Sequence, residues 1–471
     1  MPDRDDADSA DHIDDDEIER ILAANRRPDR ARVRDILVKA RNLAGLDMSE
    51  AAALMPLSDP ALLAELFAAA NEVKNAIYGR RIVLFSPLYV SNLCANECLY
   101  CAFRVRNREV RRRVLSMEEI ADETLALIEQ GHKRVLLVAG EAYPAQEGFQ
   151  YVLDAIRTIY SVKSGPGEIR RVNANIAPLT EDEFRRLKET GIGTFQLFQE
   201  TFHRETYAKV HVAGRKTDYA WRVTAFDRAM RAGIDDCGIG VLFGLFNWHY
   251  EILAMLQQIR HLEKRFGVGP HTISVPRIEP AIGSDMARHP PAAVSDIDFR
   301  KIVAILRLTV PYTGIIMSTR ETANLRQELF ALGVSQISGG SRTNPGGYTE
   351  AGAQNDGEAQ FSLGDQRTLG EVIRDVAKLG LVPSFCTGCY RLGRTGKDFM
   401  DLAKPGDIRR HCDPNAFSTF QEYLIDYASP ETRTVGENLI RKELGNMEPP
   451  VRLRTEEMLS RVRSGKRDVF C

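Results

Sequence analysis

Three cysteines near residue 100 have a spacing that is typical of an iron-sulfur site. The stretch SNLCANECLYC (91–101) places Cys94, Cys98 and Cys101 in a C-x3-C-x2-C pattern, with an aromatic residue before the last cysteine. A cubane cluster of four irons normally takes four cysteines, so three close thiolates with no nearby fourth leave one iron open. Zinc is the alternative, but zinc sites generally pair two short C-x2-C arms or use a nearby histidine. The spacing favours a cluster with one reactive iron.

A second set of cysteines lies near the end of the chain. Cys386 and Cys389 form a C-x2-C motif, and Cys412 follows after 22 residues. A two-cysteine redox motif is the alternative, but the third cysteine, in a chain that already has one three-thiolate set, favours a second cluster. Of the other two cysteines, Cys237 lies among apolar residues and is expected to be a buried structural thiol, whereas Cys471 is expected to be unpaired and frayed.

The composition indicates the class of protein. The chain has 471 residues, 44% of them hydrophobic and 27% charged, which suits a folded soluble protein. Its 63 basic and 65 acidic residues give a net charge of -2, so we expect no nucleic-acid partner. No apolar run reaches the roughly 20 residues that span a bilayer, and the N-terminus has no signal-peptide core. We therefore expect a cytoplasmic protein with no membrane association, in which clustered cysteines bind metal.

Eight short apolar segments alternate with amphipathic helices in the middle of the chain. Two of the helices begin with capping boxes, Ser116 with Glu119 and Thr180 with Glu183. The alternation predicts an α/β fold, a (β/α)8 TIM-type barrel, with a doubly wound open sheet as the alternative. In a barrel, the first cysteine set would lie at the catalytic face, since it follows the first strand. The predicted strands are 82–90, 135–140, 172–177, 194–198, 238–243, 272–276, 314–318 and 334–338.

Other regions flank the predicted barrel, which we assign to residues 81–350. Residues 1–16 are dominated by Asp and are expected to form a disordered acidic tail. Residues 17–80 are predicted to form a helical extension, in which Asp59-Pro60 begins a helix that Gly79 ends. Residues 351–471 follow a Gly- and Asn-rich stretch, include one helix candidate at 368–380, and are expected to form a C-terminal domain for the auxiliary cluster.

The first cysteine motif resembles that of the radical S-adenosylmethionine superfamily. The resemblance implies a 4Fe-4S cluster whose open iron binds the amino and carboxylate groups of S-adenosyl-L-methionine, with release of a 5′-deoxyadenosyl radical on reduction. It also implies that Tyr100 lies near the adenine, that Gly140 and Glu141 receive the methionyl amino group, and that Glu200 and Arg222 contact the ribose and the carboxylate. The alternative for Gly140-Glu141 is an ordinary strand-ending turn, and Glu200 and Arg222 could equally be surface charges.

The two cysteine sets together resemble the family of tyrosine lyases that mature FeFe-hydrogenase. The resemblance covers nearly the whole chain and includes RIVLFSPLYVSNLC (81–94), GPHTISVPR (269–277), QISGGSRTNPGGY (336–348) and FCTGCYRLGRTGKDFMDLAKPG (385–406). It implies cleavage of L-tyrosine to p-cresol and dehydroglycine, which yields carbon monoxide and cyanide. It also implies a second, auxiliary 4Fe-4S cluster with an additional iron that collects these ligands together with cysteine. The implied partners are a reductant such as ferredoxin or flavodoxin and the other hydrogenase maturation proteins.

Four more residues follow from this resemblance and from the substrate. His271 matches the histidine that binds the additional iron, whereas a lone histidine beside a strand would otherwise be a hydrogen-bonded core residue. Arg320, at the end of the seventh strand, is expected to bind the tyrosine carboxylate, with Ser318 or Ser338 as hydroxyl donors. The alternative for Arg320 is an ion pair with Glu321 or with a neighbouring helix.

Two other functions remain open at this point. The tyrosine lyase of thiamine synthesis shares the first cluster and the cleavage of tyrosine but lacks the terminal three-cysteine region, so Cys386, Cys389 and Cys412 discriminate against it. A non-catalytic carrier with two iron-sulfur clusters is the second alternative. A carrier needs buried clusters but no substrate pocket, so it leaves the eight βα units and the charges at their strand ends unexplained.

Overall fold

The N-terminal region is helical, as predicted. The computed structural model describes residue 10, residues 12–349 and residues 358–471. Helix α4 begins with Asp59 as its cap, whose carboxylate accepts from two backbone N–H groups, and it ends at Gly79, where φ is 58°. The four helices before the barrel are α1 (Asp15–Ala24), α2 (Arg30–Arg41), α3 (Met48–Leu54) and α4 (Pro60–Tyr78).

The packed part of the chain begins inside the predicted acidic tail, which was expected to run to residue 16. Residues 1–9 and 11 of that tail lie outside the described residues. Ile13 is only 3% exposed, and the Asp14 carboxylate caps α1 by accepting from the Glu17 N–H at 2.8 Å. The tail prediction is therefore wrong for residues 13–16, because these carboxylates stabilise the N-terminus of a helix.

Eight parallel strands close into a barrel, which confirms the predicted fold class. Each strand pairs with the next along the chain, and the register Val83 with Gln336 and Phe85 with Ser338 joins the last strand to the first. This closing pair excludes the open sheet. The strands are β1 (Arg81–Ser91), β2 (Arg134–Ala139), β3 (Arg171–Asn175), β4 (Phe195–Glu200), β5 (Cys237–Val241), β6 (Thr272–Ser274), β7 (Gly314–Met317) and β8 (Val334–Ser338).

Helices occupy the connections between these strands. Both predicted capping boxes are present, at Ser116 with Glu119 and at Thr180 with Glu183. Each box satisfies backbone N–H groups that the first helical turn leaves unpaired. The connecting helices are α5 (Met117–Glu129), α6 (Gln150–Ser161), α7 (Glu181–Glu189), α8 (Arg204–Val210), α9 (Tyr219–Val223), α10 (Ala225–Arg231), α11 (Trp248–Phe266), α12 (Asp285–Arg288), α13 (Asp296–Thr309) and α14 (Ala323–Leu332).

The C-terminal region extends the barrel sheet. A ninth strand, which the sequence did not predict, runs parallel to the start of β1, with Arg81 opposite Val382. It contains Pro383. An edge strand tolerates proline because the backbone groups along its outer edge do not pair with another strand. The predicted boundary at residue 350 adjoins residues 350–357, which are not described. The elements are α15 (Leu369–Lys378), β9 (Val382–Ser384), α16 (Gly388–Arg391), α17 (Gly396–Ala403), α18 (Arg409–Asp426), α19 (Pro430–Gly445) and α20 (Pro449–Arg463).

A buried ion cluster attaches α18 to the barrel. The Glu422 carboxylate contacts Lys133 Nζ at 3.0 Å and Arg170 Nη2 at 2.5 Å, and all three side chains are at most 2% exposed. Lys133 and Arg170 lie just before β2 and β3, so this cluster fixes the C-terminal helices to the amino end of the barrel. Among the described residues, no helix is long and apolar enough to cross a membrane.

Candidate functional site

The first cysteine set lies in the loop after β1, at the carboxyl end of the barrel. Cys98 is buried, whereas Cys94 and Cys101 are half-buried, and all three line one cavity. A short antiparallel pair, Glu97–Cys98 with His211–Ala213, holds this loop against the chain that follows β4. Burial raises the pKa of Cys101 to about 11 and also raises the pKa values of Cys94 and Cys98. The thiols therefore keep their protons until a metal displaces them.

Gly140, at the end of β2, lets the cysteine loop pack against the barrel. Its N–H donates to the Ser91 carbonyl at 2.9 Å. A Cβ at position 140 would lie 2.0 Å from the Leu93 carbonyl oxygen, so no larger residue fits here. The backbone that approaches this glycine is that of the cysteine loop.

Tyr100 is held in place by a neutral histidine. His211 Nδ1 donates to the Tyr207 carbonyl at 2.9 Å, because a carbonyl can only accept, so His211 Nε2 accepts from the Tyr100 hydroxyl at 2.9 Å. Burial lowers the pKa of His211 to about 2, which keeps the ring neutral, and the Tyr207 carbonyl fixes the tautomer. The Tyr100 ring thus lines the cavity in a fixed orientation beside the cysteines.

Two carboxylates and two cations form a network next to the cysteine loop. Arg222 Nη1 lies 2.8 Å from Glu141 Oε1, and Lys216 Nζ lies 2.6 Å from Glu200 Oε1. Asn96 Nδ2 donates to the other Glu141 oxygen at 2.8 Å. Glu200 and Arg222 are 9% and 4% exposed, so neither is a surface charge. The network is balanced, and each partner can exchange an internal contact for one to a zwitterionic ligand.

Glu200 and Glu141, the two carboxylates of this network, differ in what is unusual about them: the backbone conformation of Glu200 and the lowered pKa of Glu141. Glu200 has a φ of 72° at an irregularity in the pairing of β4 with β5, an unusual conformation for a residue other than glycine. Burial alone would raise the pKa of Glu141, but Arg222 and Lys216 more than offset it, so the pKa is lowered. Glu141 is therefore an anion at neutral pH.

Arg320 faces the same cavity without a carboxylate partner. Its guanidinium lies 3.3 Å from the centroid of the Phe361 ring, and no carboxylate oxygen of residues 10, 12–349 or 358–471 lies within 4.0 Å of it. Glu321, the alternative partner, pairs instead with Arg277. Burial lowers the pKa of Arg320. The structure therefore leaves a desolvated cation that an anionic ligand could neutralise.

The two predicted serines support the strand end next to Arg320. The Ser318 hydroxyl accepts from the Arg320 backbone N–H at 3.4 Å, and the Ser338 hydroxyl accepts from the Thr319 N–H at 3.1 Å. Both hydroxyl protons remain available, since each oxygen acts only as an acceptor in these contacts.

Glu279 is a cavity residue that the sequence analysis missed. It follows β6 and lines the cavity together with Arg320. Burial raises its pKa to about 7, and the neighbouring charge of Glu321 adds to this effect. Its place after a barrel strand was a usable signal, because the carboxyl ends of such strands face the site. Lys216 and Asn96 gave no comparable signal, since their positions depend on how the loops fold back.

The second cysteine set lies at the opposite, amino end of the barrel. Cys386 follows β9, and its carbonyl accepts from Arg134 Nη1 at the start of β2. A hydrogen bond from the Cys412 thiol lowers the pKa of Cys389 and raises that of Cys412, so these two sulfurs are neighbours. Arg81, at the start of β1, faces the same sulfurs. Its positive charge favours the thiolate form of Cys412 and so opposes the rise in the pKa of that thiol.

His271 lies at the same end, immediately before β6. Its ring packs against Phe399 with 4.1 Å between centroids and lies 6.0 Å from the ring of Tyr390, the neighbour of Cys389. Burial lowers the pKa of His271, so the imidazole is neutral and can act as a metal ligand. Among the described residues, no three His, Cys, Asp or Glu side chains converge tightly enough to hold one metal ion.

The predicted site residues thus fall into two groups. One group of eleven lines a single cavity at the carboxyl end, and the other four lie at the amino end. Both groups fit iron-sulfur clusters in the chemistry of their donors, since each offers three free thiols next to cations or a neutral imidazole. The first group is Cys94, Cys98, Tyr100, Cys101, Gly140, Glu141, Glu200, Arg222, Ser318, Arg320 and Ser338; the second is His271, Cys386, Cys389 and Cys412.

Two family models match the chain. The model of the radical SAM superfamily matches residues 88–259, and that of the Biotin and Thiamin Synthesis associated domain matches residues 274–382. The 2-iminoacetate synthase of Escherichia coli (strain K12) is 31% identical over 363 residues, which are 76% of this chain and 92% of that protein.

Solved structures of HydG, a maturase of the FeFe-hydrogenase, are similar over nearly the whole length. One is 47% identical with a TM-score of 0.94 and covers 98% of this chain and 100% of its own. HydG from Carboxydothermus hydrogenoformans is 41% identical with a TM-score of 0.82 and covers 94% of this chain and 97% of its own. Because these matches include both cysteine sets, the chain belongs to the radical SAM superfamily and, within it, to the HydG family of FeFe-hydrogenase maturases.

Proposed function

We propose that this protein is a radical S-adenosylmethionine tyrosine lyase that supplies carbon monoxide and cyanide for the active site of FeFe-hydrogenase. The observation that carries the proposal is Arg320, a desolvated cation without a carboxylate partner in the described chain, in the same cavity as the three cysteines. A free amino acid provides the missing carboxylate. The relative named 2-iminoacetate synthase supports the same product, since 2-iminoacetate is another name for dehydroglycine.

The carboxyl end of the barrel would hold the first cluster and S-adenosylmethionine. Cys94, Cys98 and Cys101 would bind three irons of a 4Fe-4S cluster, which, together with the cofactor, supplies a 5′-deoxyadenosyl radical on reduction. Glu141 would accept hydrogen bonds from the methionyl ammonium, while Arg222 would bind its carboxylate. These contacts replace the present pair between the same two side chains, so charge balance is kept.

The remaining residues of the network would bind the other parts of the cofactor. Glu200 would accept from the ribose hydroxyls, and Lys216, its present partner at 2.6 Å, would hold that carboxylate in place. The Tyr100 ring would lie against the adenine, in the orientation that His211 imposes. The unusual backbone conformation of Glu200 supports a binding role, because such conformations concentrate at functional sites.

Tyrosine would bind on the opposite wall of the cavity. Arg320 would pair with its carboxylate in a bidentate manner, and the hydroxyl of Ser318 or Ser338 would donate a hydrogen bond to it. Glu279 would accept a proton from the ammonium group, because its pKa of about 7 suits a base at neutral pH. Once the 5′-deoxyadenosyl radical has taken a hydrogen atom from the amino group, the Cα–Cβ bond would break to give dehydroglycine and a 4-hydroxybenzyl radical. One electron from the reductant and one proton would convert that radical to p-cresol.

The amino end of the barrel would hold the auxiliary cluster. Cys386, Cys389 and Cys412 would bind a second 4Fe-4S cluster, and His271 would bind an additional iron, with cysteine as a further small-molecule ligand. Arg81 faces the thiols and would stabilise their anionic forms. Ferredoxin or flavodoxin would act as reductant, and other maturation proteins would receive the product.

The thiamine-type tyrosine lyase is the second candidate, since the 31% identity to 2-iminoacetate synthase extends over 76% of this chain. Anaerobic reconstitution followed by incubation with S-adenosylmethionine, dithionite and tyrosine separates the possibilities. We expect p-cresol and iron-bound carbon monoxide in one sample. Cresol without carbon monoxide would favour the thiamine-type lyase, and the absence of both would leave a two-cluster carrier.

A further inference from the structure

Asp236 is a buried carboxylate at the amino end of the barrel that no step of the proposed reaction uses. It directly precedes β5 and is 3% exposed. Neither of its carboxylate oxygens has a hydrogen-bond partner among the described residues. Buried carboxylates are normally hydrogen-bonded, so an orphaned one indicates a contact that forms in another state of the protein.

The nitrogen nearest to this carboxylate belongs to His271. Asp236 Oδ2 lies 3.5 Å from His271 Nδ1, and Nδ1 is itself buried without a hydrogen-bond partner in the described chain. A shortening of a few tenths of an ångström would make this contact a hydrogen bond, since such bonds measure roughly 2.7–3.2 Å. The His271 side chain is 13% exposed. Because Nδ1 is buried, the exposed atoms are on other parts of the ring.

The other charged and polar groups near Asp236 make contacts elsewhere, and none of those described donates a hydrogen bond to its carboxylate, although Arg171 Nε is itself buried without a partner. Arg171 stacks on the Tyr390 ring at 3.7 Å and donates to the Gly191 carbonyl. Tyr390 bonds to the Thr194 hydroxyl at 3.1 Å. The adjacent Asp235 is exposed and contacts Thr395 instead. Among the described residues, His271 is thus the side chain that forms an ion-pair contact with the Asp236 carboxylate.

The backbone fixes the spacing of the two side chains. The His271 N–H donates to the Cys237 carbonyl at 2.8 Å, and the Gly314 N–H donates to the His271 carbonyl at 2.9 Å. Asp236 and His271 therefore begin neighbouring strands with a fixed register. Phe399 covers one face of the imidazole, so the ring has little freedom to turn away.

We propose that Asp236 is a positioning residue for His271. Its carboxylate accepts a hydrogen bond from Nδ1–H, which fixes that tautomer and leaves the lone pair of Nε2 to bind the additional iron. Metal-binding histidines commonly donate their second ring N–H to a carboxylate, which orients the ring and increases the basicity of the ligating nitrogen. The inference rests on the proposed function, in which His271 binds that iron.

The first test needs no metal. Nitrogen-15 labelling of histidine, assigned with His271→Ala, reports which ring nitrogen of His271 carries the proton in the metal-free protein. We expect the proton on Nδ1, and we expect Asp236→Asn to abolish this preference. A proton on Nε2 in the parent protein would overturn the inference, because Asp236 would then have nothing to accept.

The second test measures the additional iron after anaerobic reconstitution, by iron content and by electron paramagnetic resonance. We expect Asp236→Asn to weaken its binding by about tenfold to a hundredfold, the usual cost of losing such a partner. Asp235→Asn, the matched neighbour, should bind it like the parent. Unchanged binding in Asp236→Asn would contradict the inference, and unchanged binding in His271→Ala would remove its basis. Formation of p-cresol in the same samples reports separately whether tyrosine cleavage holds.

Discussion

The two ends of the barrel present the same number of thiols in different surroundings. At the carboxyl end, Cys94, Cys98 and Cys101 adjoin an open cavity with a balanced network of acids and bases and with Arg320 on its wall. At the amino end, the thiols lie under helices that a buried ion cluster fixes to the barrel, next to a neutral imidazole. The cysteines alone do not distinguish the two sites. The neighbouring charges differ, and this difference supports the proposal that one end binds a cofactor and an amino acid and the other binds small metal ligands.

The largest expected effect separates the ends by removing the radical source. Cys98→Ala leaves too few thiolates to hold a cubane with an open iron, so formation of 5′-deoxyadenosine should be abolished. Chromatography of the reaction products measures this loss. Cys237→Ala, which alters a fully buried thiol in β5, is the control and should remain active. Full activity of the Cys98 variant would refute the assignment of the first cluster.

Removing a cysteine of the second set should affect only the iron-carbonyl product. In Cys386→Ala the cavity at the carboxyl end stays intact, so p-cresol should still form while iron-bound carbon monoxide disappears from the infrared spectrum. The reason is distance, since Cys386 follows β9 at the amino end of the barrel. A variant that loses p-cresol with a spectroscopically normal first cluster would show that the two ends are coupled.

A smaller effect is expected within the carboxyl end. Arg320→Ala should weaken tyrosine binding by about tenfold or more, because hydrogen bonds to charged groups contribute about 1.5–3 kcal/mol. Cleavage of the cofactor without substrate should persist. Arg320→Lys keeps the charge but loses the bidentate geometry, so it should bind with intermediate affinity. Unchanged affinity in both variants would place the carboxylate site elsewhere.

The smallest expected effect is a change in pH dependence. Burial raises the pKa of Glu279 to about 7, so its carboxyl group is neutral below that pH and can accept a proton only above it. The rate of p-cresol formation should therefore rise as the pH increases through about 7, and Glu279→Gln should remove this rise. Glu328→Gln, at an exposed ion pair with Arg300, is the control. An identical pH profile in Glu279→Gln would exclude it as the base.

The sequence predicted the barrel well because each strand is a short apolar run with a clear end. All eight predicted segments became strands, and the capping boxes at Ser116 and Thr180 begin helices as expected. It missed β9, whose three residues include Pro383 and give no periodic signal. It also extended the acidic tail too far, because Asp14 serves as a helix cap that composition alone does not reveal.

The candidate site was predictable where a residue directly follows a strand or belongs to a spaced motif. Glu141, Arg320 and the cysteines meet that condition. Lys216 and Asp236 do not, because their contacts with Glu200 and His271 arise only from tertiary packing. Cys471 was expected to be frayed, yet its N–H donates to Asn415 Oδ1 at 2.8 Å, and this hydrogen bond could not be predicted from the end of a sequence.

The length of β1 has a consequence for how the protein tolerates change. Its first residue, Arg81, faces the sulfurs at one end, and Cys94 follows three residues after its last, Ser91. At a rise of about 3.3 Å per residue the strand measures roughly 33 Å, so this one segment sets the distance between the two cysteine sets. Deleting a single residue from its middle would turn every later side chain of this strand to the opposite face of the sheet. An insertion or deletion in β1 should therefore be more damaging than a conservative substitution at a buried position of the same strand.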